Sequence, residues 1–153
     1  MYQTLTFLHS ITRWFVLLSL LCSILRAYNG YRNAKAVFSK TDDTIRHWTA
    51  TISHIQLLIG VVLYMHSPII KYFWYNFDEA KSNFDNLFFA LIHIVCMLLG
   101  ISMITVGSAK AKKATVDKEK FKTILIWYSV ALVIIVVAIP WPFSPLAQRP
   151  FLR

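Results

Sequence analysis

Polar and apolar positions along this chain do not alternate; they come in blocks. After Arg46, 24 residues pass without Asp, Glu, Lys or Arg before Lys71. Another 24 separate Asp85 from Lys110, and 26 separate Lys122 from Arg149. The first 25 residues hold one charge, Arg13. A helix of about 20 apolar residues covers the bilayer core, whereas strands of a membrane barrel would alternate with a period of two. The blocks therefore predict four helical spans, at about 5–26, 46–66, 86–106 and 123–139. Ser39, Thr41, Asp42 and Asp43 form a helix-start cluster before the second span, and Pro68 ends it. Gly107 and Ser108 mark the exit of the third, and Pro140, Pro142 and Pro145 prevent a regular helix after the fourth. The expected architecture is all-α: an integral membrane four-helix bundle of up-down topology with short connections, one transmembrane domain over residues 1–153.

Composition agrees with this reading. Hydrophobic residues are 57% and charged residues 15%, against about a quarter charged in soluble domains. A soluble enzyme and a disordered chain are excluded. The net charge of +9 would suggest nucleic acid, but its distribution points to lipid. Arg26, Arg32, Lys35, Lys40 and Arg46 flank one loop; Lys110, Lys112, Lys113, Lys118, Lys120 and Lys122 flank another. Eleven of the 16 basic residues thus sit on alternate loops, the cytoplasmic signature. The loops around 28–45 and 109–121 are placed inside; both termini and the loop 68–84 are placed outside. The bilayer is the expected partner, nucleic acid is not, and the localisation is a bacterial cytoplasmic (inner) membrane. Tyr72, Phe73, Trp74, Tyr75, Phe77 and Phe84 make the outer loop an aromatic belt lying on the membrane surface. The first span lacks the basic flank and cleavage site of a signal peptide. Cys22 and Cys96 read as separate buried thiols.

The candidate chemistry rests on histidine. His9, His54 and His93 lie within spans, and His47 and His66 lie near span ends. Ligand-capable side chains inside a membrane are costly and point to function. At 1.5 Å rise per residue, His9 falls about 9 Å and His93 about 5 Å outward of the span midpoints, on two helices running the same way. That suits two imidazoles approaching one metal centre from opposite sides, as haem iron accepts axial histidines. A pairing that uses His54 and a copper site of His9, His66 and His93 remain open alternatives. Arg13 shares the face of His9, and with no Asp or Glu in any span a haem propionate, or a lipid phosphate reached by snorkelling, would serve as its partner. Gly100, two turns from His93, would let a flat macrocycle lie against the backbone or would serve ordinary small-residue helix packing. Thr51, Ser53 and Gln56 flank His54, a small polar group able to hold a quinone oxygen. No nucleotide-binding or hydrolase motif occurs.

The phrases LHSITRW (Leu8–Trp14), SHIQLLIGVVLY (Ser53–Tyr64), His93 and IPWPF (Ile139–Phe143) occur in an order that resembles small bacterial four-helix membrane proteins labelled cytochrome b-like. The resemblance covers nearly the whole chain. It implies b-type haem held by histidines and points to His9, Arg13, His54, Gln56 and His93. A looser similarity is to HemJ-type protoporphyrinogen oxidases, in which His9 and His93 would correspond to the early histidines of spans 1 and 3. The Lys that family carries near the second histidine is absent; Ile94 and Val95 follow His93. The resulting expectation is a membrane b-type cytochrome with haem b on His9 and His93. It would pass electrons between quinone and a partner in a larger respiratory complex. A haem-free accessory subunit of such a complex is the alternative.

Overall fold

A computed structural model describes residues 2–152. Helices joined by short turns make up most of the chain, residues 139–152 follow the last helix, and no strand occurs among the described residues. Helix α1 is Tyr2–Arg32 and α2 is Lys40–His66. Two short helices follow, α3 (Pro68–Tyr75) and α4 (Phe77–Ala80). Next, α5 (Phe84–Leu87) runs through a π-helical turn, Phe88–Ile92, into α6 (His93–Lys113). The last helix is α7 (Asp117–Ala138). Four stretches are long and apolar enough to cross a membrane: α1, α2, the continuous run Phe84–Lys113, and α7. The helices extend beyond the apolar runs into their basic flanks, because nothing in those flanks breaks a helix.

The boundaries have local causes. Ser39 caps α2: its hydroxyl accepts from the Asp42 N–H at 3.2 Å, and the Asp42 carboxylate accepts from the Ser39 N–H at 2.9 Å. Pro68 cannot donate to the ladder of α2, so that helix stops, and the same residue opens α3. Asn83 caps α5 by accepting from the Asn86 N–H.

Asp42 also accepts from Arg26 Nε at 2.8 Å, tying α2 to α1 before its apolar run begins. Burial raises the pKa of this carboxyl, but the hydrogen bonds from Ser39 and Arg26 outweigh it and hold it below the usual range. Its unfolded value is about 3.9. The stabilisation is therefore complete above that value and is lost as pH falls through the lower folded value. Asp42→Asn is expected to lower stability by about 1 kcal/mol at neutral pH and to flatten the acid limb below about pH 4. Thermal unfolding in detergent across that range checks it.

α1 packs against α2 and α7, and α6 packs against α7 and α2, so the four long elements close a ring. Along α1 and α2 the paired residues are Arg26 with Asp42, Ser23 with Thr49, and Thr12 with Gln56. The burial pattern is that of a lipid-facing protein. The buried residues of α2 are Asp42, Arg46, Thr49, Ala50, Ser53 and Gln56, all polar except one alanine. Meanwhile Leu18, Leu58, Met65 and Val133 are exposed, and only 22–33% of each apolar stretch is buried within the chain. In water this arrangement would waste apolar surface. In hydrocarbon it is favourable, because polar groups then have to find partners inside. Ser23 and Thr49 share a 2.8 Å hydrogen bond, Arg46 is held by Asp43 at 2.8 Å and by Ser108, and Tyr128 donates to the Arg46 carbonyl at 3.1 Å.

One ring of the aromatic segment turns inward: Phe73 is fully buried and meets Trp74 and Phe77 edge-on, with ring centroids at 5.3 and 5.5 Å, while Tyr72, Trp74, Tyr75, Phe77 and Phe84 are exposed. Ile70, Ala80 and Ala90 share the cluster of Phe73. Cys22 faces outward, Cys96 is half-buried, and both are free thiols.

Candidate functional site

A cavity of about 190 Å³, open on one side, lies among α1, α2, the π turn, α6, α7 and the C-terminal segment. His9 enters it from α1 and His93 from the first turn of α6. Their ring centroids are 6.5 Å apart and their planes lie at 70°. Two imidazoles that grip one ion from opposite sides, each through a metal–nitrogen bond of about 2 Å, have centroids roughly 6 Å apart. The pair has that spacing.

The surroundings explain how each ring is held. α7 ends at Ala138, so the last carbonyls of that helix lack intrahelical donors. The Ala138 carbonyl accepts from His93 Nδ1 at 2.8 Å. A carbonyl only accepts, so Nδ1 carries the proton and Nε2 keeps its lone pair, the tautomer a metal ligand needs. Phe88 and Phe89 flank the same ring at 5.9 and 6.3 Å. The π turn that sets the direction of α6 leaves the Ala90 carbonyl to accept from the Tyr64 hydroxyl at 3.0 Å, and Tyr64 in turn accepts from Trp74 Nε1 at 3.1 Å.

His9 is placed by Gln56. The Gln56 amide donates to the His9 carbonyl at 2.9 Å and accepts from the Thr12 hydroxyl, so α2 is fixed to α1 at this level. His9 Nδ1 is buried without a hydrogen-bond partner. Among the described residues no hydrogen bond engages Nε2 of either ring. Gly60 faces His9: a Cβ there would lie 3.2 Å from its Cε1. Arg13 lines the cavity one turn further along α1, with its guanidinium 5.7 Å from the rings of Trp14 and Trp141. No Asp or Glu lines the cavity.

The structure thus brings together His9, Arg13, Gln56 and His93 and leaves two expected residues elsewhere. His54 is exposed on the other face of α2 and shares a 2.9 Å hydrogen bond with Thr105. Helix geometry is the cause, since Ser53 and Gln56 point inward and His54 lies off that stripe. Gly100 does not line the cavity; a Cβ there would sit 2.9 Å from Ile135 Cγ1 and 3.6 Å from the Ala131 carbonyl. It serves close packing of α6 on α7. His66 is bonded to the Val62 carbonyl at 2.8 Å, and no three or more His, Cys, Asp or Glu gather as a metal set among the described residues. The three-histidine copper site is therefore not assembled.

Sequence reasoning missed Gly60, Tyr64 and Arg149 on the cavity wall. Gly60 had a readable signal: it continues the stripe Thr49, Ser53, Gln56 at intervals of four, three and four. Two imidazoles with free Nε2 atoms are too few for a closed zinc site. One nitrogen from each could hold a haem iron, with Leu57, Ile94, Met97 and Ile139 offering an apolar wall to such a group. Compared with family models, curated proteins and solved structures, the chain matches none.

Proposed function

We propose that this chain is a multi-pass b-type cytochrome that holds one haem b between His9 and His93. The observation that carries the reading is that ring pair, 6.5 Å apart across an apolar cavity with no carboxylate in its wall. Bound there, the haem supplies one-electron chemistry, while the protein supplies position and electrostatics. The Ala138 carbonyl fixes the His93 ring and its tautomer. Gln56 and Gly60 set the place of His9, and the surrounding apolar side chains limit water at the site.

The topological side of the proposal is an up-down bundle with both termini outside, in a bacterial cytoplasmic membrane. The basic loops 28–45 and 109–121 support that orientation. The paired residues of α1 and α2, rising along one helix as they fall along the other, support the up-down order. Electrons would pass between quinone and a partner within a larger membrane complex. The order of motifs that resembles cytochrome b-like proteins agrees with this reading.

The test is the detergent-purified chain from cells supplied with haem. A reduced-minus-oxidised spectrum with a b-type α-band, and a pyridine haemochromogen near one haem per chain, is the expected result. A colourless protein overturns the reading and leaves the accessory subunit in its place.

A further inference from the structure

Two arginines reach the cavity, and each keeps a polar atom without a partner. Arg13 Nε and Arg149 Nε are both buried and unbonded, and both residues line the cavity wall. The remaining guanidinium nitrogens are engaged in ways that fix the two side chains. Arg13 donates through Nη2 to the Phe151 carbonyl and lies against Trp14 and Trp141. Arg149 donates through Nη2 to Asp85 at 2.5 Å and through Nη1 to the Gln148 carbonyl at 2.8 Å. Its guanidinium lies 4.6 Å from the centre of the Phe89 ring. Phe151 is two residues beyond Arg149, so the bond from Arg13 ties the segment that carries Arg149 to α1. Both arginines line the cavity wall.

Among the described residues Arg13 has no carboxylate partner, whereas Arg149 is paired with Asp85, which is itself 43% exposed. A guanidinium taken out of water without an anion is strongly unfavourable. Its planar fork suits carboxylates in particular. An otherwise apolar cavity whose wall carries two guanidiniums, each with a buried unbonded Nε, fits a flat apolar ligand that carries two carboxylates.

Resting on the haem reading above, we infer that Arg13 and Arg149 form a clamp for the two propionates, and that the C-terminal segment after α7 is the strap that carries the second arginine to the site. The strap is built for this. It leaves α7 at Ala138, and the Trp141 indole donates back to the Val136 carbonyl at 2.9 Å. Trp141 stacks on Phe143 at 5.9 Å and meets Phe151 at 6.2 Å, while Ser144 and Ala147 are buried. Its far end is fastened twice, to α1 through Arg13 and to α5 through Asp85. Pro140, Arg149 and Pro150 of this segment line the cavity.

The experiment titrates the haem-depleted full chain in detergent with haemin and with haemin dimethyl ester, read by the Soret band. The ester has the same macrocycle and iron but no carboxylates. The clamp predicts that the unaltered chain binds haemin about tenfold or more tightly than the ester. It also predicts that Arg149→Ala weakens haemin by about tenfold and leaves the ester unchanged. Equal affinity of the unaltered chain for the two porphyrins overturns the clamp, and that comparison requires no variant to fold. An equal loss for both porphyrins in Arg149→Ala also overturns it, since that marks a structural role. If neither porphyrin shifts the Soret band of the unaltered chain, the haem reading itself fails and the clamp with it.

Discussion

His9→Ala and His93→Ala are each expected to lose more than about 100-fold in haem affinity. Groups that only orient a metal ligand already change affinity 10–100-fold when removed, and the proposed function makes these two the ligands themselves. The variants should still fold. His9 accepts no side-chain hydrogen bond on its ring, so its removal costs mainly packing. His93→Ala additionally leaves the Ala138 carbonyl without its donor, at about 1 kcal/mol. His54→Ala and His66→Ala are the controls. His54 pairs with Thr105 and His66 with a carbonyl of its own helix, both away from the cavity, so both should keep full haem content. Haem per chain by pyridine haemochromogen, beside circular dichroism, separates ligand loss from unfolding. A b-type band that survives in either ligand variant would remove that residue from the site.

Gly60→Leu is expected to produce the second-largest effect, by filling the cavity rather than removing a ligand. A Cβ at this position already comes within 3.2 Å of the His9 ring, so the ring must yield by a few tenths of an ångström even for alanine. The further atoms of leucine have to enter the cavity that Gly60 lines. Overpacking of this kind costs about 1–3 kcal/mol. It should cut haem content at least about tenfold, because the macrocycle and the new side chain claim one space. Gly60→Ala should give a partial loss. Haem content and melting temperature measured together check the argument. Full haem content in Gly60→Leu would mean that the cavity beside His9 holds no macrocycle.

The long helices were legible in the sequence because the bilayer imposes one coarse rule on length and charge. The blocks bounded by Arg46, Lys71, Asp85, Lys110, Lys122 and Arg149 locate all four. His9 and His93 were legible as a pair because the rise per residue places them at similar depth, and Arg13 because it shares the face of His9. Which face of a helix turns inward was harder to read. His54 lies beside Ser53 in sequence, yet a step of one residue rotates it about 100° away from the buried stripe. The stripe Asp42, Arg46, Thr49, Ser53, Gln56 was present in the sequence, but it is polar, and a polar stripe marks the inside only when the solvent is lipid. Gly100 does share the face of His93, but what covers that face two turns inward is Ile135 of α7, a fact of tertiary packing. The π turn before His93 carries no glycine or proline to announce it. Arg149 sits more than 130 residues from Arg13, and only the fold of the C-terminal segment brings it to the cavity.

The central claim is that His9 and His93 occupy opposite sides of one iron. The most direct measurement is the electron paramagnetic resonance spectrum of the oxidised, haem-loaded protein. Two imidazole ligands make ferric haem low-spin, and rings crossed at 70° predict a strongly anisotropic low-spin signal. That signal should disappear in His9→Ala and in His93→Ala. A high-spin ferric signal from the unaltered protein, which requires an axial position without a strong nitrogen ligand, would contradict the account.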